Sequence, residues 1–275
     1  MLVEFKDNDV IITDFKNFNI AQTLDCGQAF RWSIDDDNVW QGIAFGKFLR
    51  LKQDEEKIIL FDTSKKDFEE IWLDYFDLNR DYAKIIDGIS HNEMLKNAAK
   101  YGYGIRILRQ DSWEALCSFI ISQNNNIPRI KGIVERLCEN FGDKIDGGYS
   151  FPTAEKIALL SLDDLTVLRS GFRAKYILDA AKRVASGEIC FKEIEKLSTD
   201  EARQKLMSIY GVGAKVADCA MLYGMGRLDA FPKDVWIKRA LEVLFDGNLP
   251  ETATEYAGII QQYIFFYARE TKLNI

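Results

Sequence analysis

Histidine is almost absent from this sequence: His91, between Ser90 and Asn92, is the only one in 275 residues. Read as a solvated loop or helix-end residue, it argues against a serine–histidine triad and against a metal site built on imidazoles. The five cysteines, Cys26, Cys117, Cys138, Cys190 and Cys219, are odd in number, widely spaced and without a Cys-x-x-Cys pair. They argue for thiols in a reducing compartment and against structural zinc or a disulfide framework. No apolar run approaches the roughly 18 to 20 residues that cross a bilayer. The segment Met1-Leu2-Val3-Glu4-Phe5-Lys6-Asp7 lacks the basic and apolar regions of a signal peptide. A cytoplasmic, nucleoid-associated protein with no membrane partner is expected. Only four prolines interrupt the chain, and no low-complexity segment is present.

Excess positive charge is lacking too: 43 acids against 36 bases give a net charge of -7. Residues 1–100 hold 20 acids and 13 bases, whereas residues 101–275 hold 23 of each, so the imbalance sits in the first third. A neutral remainder can still present a basic face if its bases cluster. Arg106, Arg109, Arg129, Lys131, Arg173, Lys175, Lys215, Lys233, Lys238 and Arg239 are the candidates.

The pattern is that of an α+β protein. Short alternating segments at Val3–Phe5, Val10–Thr13, Phe30–Ile34, Val39–Phe45, Lys47–Leu51 and Ile58–Phe61 are separated by acidic or Asn-containing turns and predict an antiparallel meander. From Ser64 the period becomes helical, with Phe68, Ile71, Trp72, Tyr75 and Phe76 on one face. The expected organisation is an N-terminal antiparallel sheet lobe with helices over residues 1–100, followed by an all-α region over 101–275 that holds the site.

The densest signal lies between Ile209 and Asp234. Ser198 and Glu201 have capping-box spacing and predict a helix through Leu206 that ends before Gly211. Gly211 and Gly213 permit a tight turn, and a second helix starts at once with Val212, Val216, Cys219, Ala220 and Tyr223 on its buried side. Such a helix-hairpin-helix offers the amides of Gly211, Val212 and Gly213 to a phosphate. Lys215 stands one turn into the second helix, and Asp234 follows 19 residues later after Phe231-Pro232-Lys233. Each has an ordinary alternative: Lys215 can pair with Asp218 at i+3, and Asp234 can cap the helix from Val235 to Phe245. The cap is compatible with a chemical role.

Upstream, Asp111 and Glu114 have capping-box spacing, and Trp113, Leu116, Phe119 and Ile120 predict a buried helix to about Ser122. It breaks into Gln123-Asn124-Asn125-Asn126, a polar loop tip or plain turn chemistry, before Pro128 opens the next helix and Gly142 ends it. A similar arrangement, Ser170-Gly171-Phe172-Arg173, precedes a helix carrying Tyr176, Ile177, Ala180, Ala181 and Val184. Arg173 is expected to project from that helix start as Arg129 does from its own, both solvated if they have no partner.

The glycine turn, Lys215 and the Pro-x-Asp at Asp234 resemble the helix-hairpin-helix superfamily of DNA base-excision glycosylases. Further motifs resemble the bifunctional 8-oxoguanine DNA glycosylases within it: Cys26-Gly27-Gln28-Ala29-Phe30-Arg31-Trp32 is similar to their Ser-Gly-Gln-Ser-Phe-Arg-Trp, and Tyr256-Ala257-Gly258 sets the register of the last helix. The resemblance runs from about Asp14 to Ala268. It implies that Lys215 is the nucleophile and Asp234 its electrostatic partner. The Gly27 carbonyl would accept the N7 hydrogen of oxidised guanine, Cys219 would line the pocket, Gln261 would read the Watson–Crick edge and Phe265 would stack on the base. Gln262 is adjacent to Gln261, and Phe265 in an apolar helix can equally be core. Asn124, Arg129, Phe172 and Arg173 would fill the gap left by the flipped base and hold the orphaned cytosine. No cofactor is implied, and the chemistry requires no metal; the family often holds a structural cation on hairpin carbonyls, here those of Met207, Ile209 and Val212.

Three departures bear on opposite-base selectivity: Pro128 replaces a small residue, Phe172 a tyrosine, and Trp236 a phosphate-contacting histidine, the last fitting a compact prokaryotic-like variant. The implied function is a monomeric DNA N-glycosylase and apurinic-site lyase acting on double-stranded DNA that contains 8-oxoguanine. Two alternatives remain: an alkylated-purine glycosylase, a class that generally lacks the lysine, and a non-catalytic helix-hairpin-helix DNA-binding protein, which leaves the pairing of Lys215 with Asp234 unexplained.

Overall fold

The computed structural model describes residues 1–249 and 255–272. It begins with β1 (Leu2–Lys6), β2 (Asp9–Thr13), α1 (Ile20–Leu24), β3 (Trp32–Ile34), β4 (Trp40–Ala44), β5 (Lys47–Gln53) and β6 (Lys57–Phe61). Helices then dominate: α2 (residues 65–75), α3 (Tyr82–Ile89), α4 (Glu93–Tyr101), α5 (Ser112–Ile121) and α6 (Ile127–Phe141). The two-residue strands β7 (Lys144–Ile145) and β8 (Gly148–Tyr149) precede α7 (Ala154–Ala158), α8 (Arg173–Ala185), α9 (Phe191–Ile194), α10 (Thr199–Met207), α11 (Ala214–Gly224), α12 (Val235–Phe245) and α13 (Ala257–Thr271). Among the described residues no helix is long and apolar enough to cross a membrane.

The expected α+β class is observed, with one correction to the sheet. Its order is β1-β2-β6-β5-β4-β3. Only β3 to β6 follow one another as a meander; β1 and β2 form a separate hairpin whose second strand pairs antiparallel with β6, Val10 opposite Leu60 and Thr13 opposite Lys57. The cause is visible in the alternation. Val10 and Ile12 on β2 and Ile58 and Leu60 on β6 are all buried, so pairing these strands gives them one shared apolar face. In α2 the amide of Leu73 reaches back to the Phe68 carbonyl, a wide turn in a segment that buries Phe68, Trp72 and Tyr75.

By packing, the chain divides into two units that do not follow chain order. One comprises Met1–Gln28, Leu51–Arg109 and the chain from Gly226 onward; the other comprises Ala29–Arg50 and Gln110–Met225.

In the first unit α13 packs on α4 and α12. Its interior contains two polar side chains that organise backbone. Gln28 is fully buried: its amide nitrogen donates to the carbonyls of Thr23 (2.9 Å) and Arg106 (2.8 Å), and its oxygen accepts the Leu108 N–H (2.9 Å). Arg106, expected on a DNA-facing surface, lies inside instead. Its guanidinium donates to the carbonyls of Asp77, Arg80 and Lys16 and stacks 4.5 Å from the Tyr82 ring. Turn carbonyls gathered in an apolar interior need donors, and a guanidinium fork supplies several at once.

In the second unit α5 is buried along nearly its whole length and packs on α11 and α8. The α5–α11 contact is close because one partner has no side chain: a Cβ on Gly224 would lie 2.9 Å from the Ala115 Cβ. Ser112 Oγ donates to the Gly224 carbonyl (2.8 Å), and the Phe119 and Tyr223 rings stack at 5.1 Å. Asp111 caps α5 by accepting the Glu114 N–H (2.9 Å), whereas the Glu114 carboxylate, expected to complete a capping box, pairs with Arg31 at 3.4 Å. Glu114 is buried and Arg31 nearly so, and a charged partner outweighs a neutral amide there.

Two outcomes are expected. Replacing Gln28 with leucine strands two carbonyls and an amide in an apolar interior and should cost about 3 kcal/mol in urea unfolding; a loss below about 1 kcal/mol would contradict this account of the loop. Burial pushes the Glu114 carboxyl up to about 7 despite the lowering influence of Arg31. Because the folded state holds this proton more tightly than the unfolded chain does, the stabilisation is complete below the unfolded value of 4.5 and is lost as pH rises through about 7. Stability measured from pH 5 to 8 should therefore fall more steeply for the wild type than for Glu114→Gln; parallel curves would refute it.

Candidate active site

Within the second unit, the hairpin forms as its residues dictate. The capping box of Ser198 and Glu201 is complete and opens α10. Gly211 takes a left-handed φ of 81°, and a Cβ there would lie 2.4 Å from the Tyr176 ring. No other residue fits this turn without moving the aromatic. The Val212 N–H donates to the Ile209 carbonyl (3.1 Å), which engages one of the three carbonyls named for a cation. Val212 is buried, Met207 more exposed, and α11 begins after Gly213, whose missing side chain leaves the helix without a side-chain cap. Uncapped amides at a helix start are the feature that binds an anion.

Lys215 is half-buried on the first turn of α11. It is not held by Asp218. That carboxylate lies 2.6 Å from Arg203 Nε, which joins α10 to α11, while Lys215 Nζ donates to Ser122 Oγ at 3.1 Å and sits 5.2 Å from the centre of the Phe119 ring. Cys219, one turn on, is buried on the core face of α11.

The loop after α5 is in the same unit. Asn124 is exposed with a left-handed φ of 47°, and Arg129 is exposed in the first turn of α6, where Asn126 caps the helix by accepting the Arg129 N–H. Phe172 is 45% exposed, the condition a wedge needs. Arg173 behaves differently from the expectation that it projects. It is 3% exposed, and its guanidinium donates to the carbonyls of Gln123, Asn124 and Ser170. Burial and the neighbouring charge of Arg129 both pull its pKa down. The left-handed turn at Asn124 leaves carbonyls inside the loop, and they capture the nearest guanidinium.

The first unit holds the remaining residues. Gly27, at φ 85°, lies between buried Cys26 and Gln28. Burial raises the Cys26 thiol to about 12, which makes it a packing group and not a nucleophile. Gln262 Nε2 donates to the Cys26 carbonyl at 3.0 Å, so the two adjacent glutamines of α13 are distinguished: Gln262 braces the Gly27 segment. Gln261 and Phe265 are one turn apart on another face of the helix. Phe265 is outside the buried set of α13, which comprises residues such as Ile259, Ile260, Tyr263 and Ile264, and the Arg269 guanidinium lies 5.8 Å from its ring. Asp234 caps α12, its Oδ1 accepting the Ile237 N–H at 2.8 Å.

Sequence reasoning missed Gln28 as a brace and Ser122 as a partner of Lys215. A glutamine between apolar residues beside a glycine was a readable signal for the first. Ser122 offered none, because a serine at a helix end is ordinary.

Comparison with known proteins agrees over nearly the whole chain. The family described as 8-oxoguanine DNA glycosylase, N-terminal domain, matches residues 10–116, and the HhH-GPD superfamily base excision DNA repair protein family matches residues 117–257. An N-glycosylase/DNA lyase of Saccharomyces cerevisiae is 34% identical over 87% of this chain and 73% of its own length. The structure of MBOgg1 in complex with a low affinity DNA ligand is 44% identical, with a TM-score of 0.92 over 98% of this chain and 99% of that one. The 8-oxoguanine glycosylase/lyase of Clostridium acetobutylicum, bound to double-stranded DNA with cytosine opposite 8-oxoguanine, is 36% identical with a TM-score of 0.92 over 99% of each. This chain belongs to the 8-oxoguanine DNA glycosylase family, within the HhH-GPD superfamily of base excision DNA repair proteins.

Proposed function

We infer that this protein removes 8-oxoguanine from duplex DNA and then nicks the strand, with Lys215 as nucleophile. The observation that carries the reading is an amine placed at the start of a helix, beside an uncapped glycine hairpin, and withheld from the carboxylate three residues on. A stacked base is beyond reach of a protein group, so the nucleotide must be turned out of the helix at a cost of a few kcal/mol. Phe172 and Asn124 offset part of that cost by filling the vacated space. Arg129 is the exposed arginine suited to the estranged cytosine, with Arg173 holding the shape of the loop. The hairpin amides of Gly211, Val212 and Gly213 take a backbone phosphate.

Bond cleavage develops positive charge at C1′ of the sugar, which the Asp234 carboxylate stabilises. The unprotonated Lys215 amine attacks C1′, the N-glycosidic bond electrons leave with the base, and the base takes up a proton. Loss of a second proton from nitrogen and opening of the sugar ring give a Schiff base. That intermediate acidifies the C2′ hydrogen, and β-elimination expels the 3′ phosphate. Gly27 supplies selectivity through one carbonyl that accepts the N7 hydrogen of the lesion, worth about 1 to 3 kcal/mol or roughly 5- to 150-fold. Gln261 is assigned to the base edge, Phe265 to its face and Cys219 to a further contact with the base. Genomic guanine is in vast excess, so insertion and cytosine checking must multiply that factor. The protein acts as a monomer on chromosomal DNA.

The binding-module and alkylated-purine readings both predict no covalent intermediate. Borohydride should trap the wild type on a duplex with one 8-oxoguanine opposite cytosine, but neither on undamaged guanine nor in Lys215→Gln; an adduct that persists in the variant would remove Lys215 from the mechanism. Asp234→Asn separates cap from chemistry, since asparagine caps as well as aspartate. Its melting temperature should stay unchanged while single-turnover base release falls by about 10²-fold or more; a normal rate would restrict Asp234 to capping.

A further inference from the structure

We propose that Ser122 is the positioning residue for the reacting amine, holding Lys215 through an acceptor that leaves the nitrogen lone pair uncovered. The proposal deepens the reading of Lys215 as nucleophile and rests on it. Ser122 closes α5, and its hydroxyl hydrogen is already committed: Oγ donates to the Phe119 carbonyl at 2.8 Å. Towards Lys215 Nζ, 3.1 Å away, Oγ therefore presents lone pairs alone. A hydroxyl free to rotate would donate to an unprotonated amine and mask the electrons that must attack C1′. This one accepts an N–H and turns the lone pair elsewhere.

The surroundings restrict the amine further. The Phe119 ring lies 5.2 Å from Nζ and is itself fixed between Tyr223, stacked at 5.1 Å, and Phe30, edge-on at 5.7 Å. The carboxylate at i+3 is taken by Arg203, so it does not compete for the lysine. Each of these contacts lies within the second unit, and Ser122 is the hydroxyl that supplies the hydrogen-bond acceptor.

Threonine and valine are nearly isosteric and differ at this position by the hydroxyl. Ser122→Thr and Ser122→Val would be compared by the single-turnover rate of borohydride trapping on a duplex carrying one abasic site, which needs the lysine but no base recognition. Trapping by the wild type and its loss in Lys215→Gln come first; failure there removes the lysine reading itself. Given that adduct, Ser122→Thr should react within about threefold of wild type and Ser122→Val about tenfold more slowly, the effect of one hydrogen bond. Affinity for a non-cleavable duplex should be equal for both. Equal trapping rates for the two variants would overturn the proposal, as would a slow valine variant whose DNA affinity falls by the same factor.

Discussion

The contact between α5 and α11 is the constraint on which the rest of the second unit depends. The helices approach closely because Gly224 has no side chain where Ala115 needs room, and the Phe119–Tyr223 stack fixes their rotation. Lys215, Ser122 and the loop from Gln123 to Asn126 are all placed by this pair. If Lys215 is the nucleophile proposed above, a flexible side chain reacts efficiently only when its base is fixed to fractions of an ångström. Here the fixing is mostly apolar packing, and polar groups add the final orientation.

The acidic composition and the DNA substrate are reconciled by location. Several bases are already engaged within the protein: Arg106 and Arg173 are buried on main-chain carbonyls, and Arg203 is paired with two carboxylates. On the function proposed above, exposed Arg129 and the hairpin amides would need no excess charge over the whole molecule. Dipoles and single cations at chosen points suffice for phosphates, while an acidic remainder discourages indiscriminate adhesion to DNA.

How much was legible in the sequence depended on the kind of signal. Capping residues and periodicity located the hairpin and the helix after Asp234 closely, because both are local properties of the chain. The β1–β2 hairpin was also visible, but its pairing with β6 was not, since strand neighbours are chosen by long-range burial. Lys215 stood out through its spacing from Gly213 and Asp234, whereas its contact with Ser122 joins residues 93 apart. Arg173 illustrates the limit: helix-start arginines look alike in sequence, and only the placement of loop carbonyls decides which one turns inward.

That inward arginine separates main-chain path from side-chain identity in the loop after α5. Arg173 grips the carbonyls of Gln123 and Asn124, groups that every amino acid possesses, and none of its bonds there uses their side chains. That grip does not depend on which side chains the loop carries, whereas the left-handed turn at Asn124 and the Asn126 cap do. A substitution of a side chain in this loop leaves those carbonyls in place to be gripped, so Arg173 acts on the path of the main chain and not on which side chains it presents.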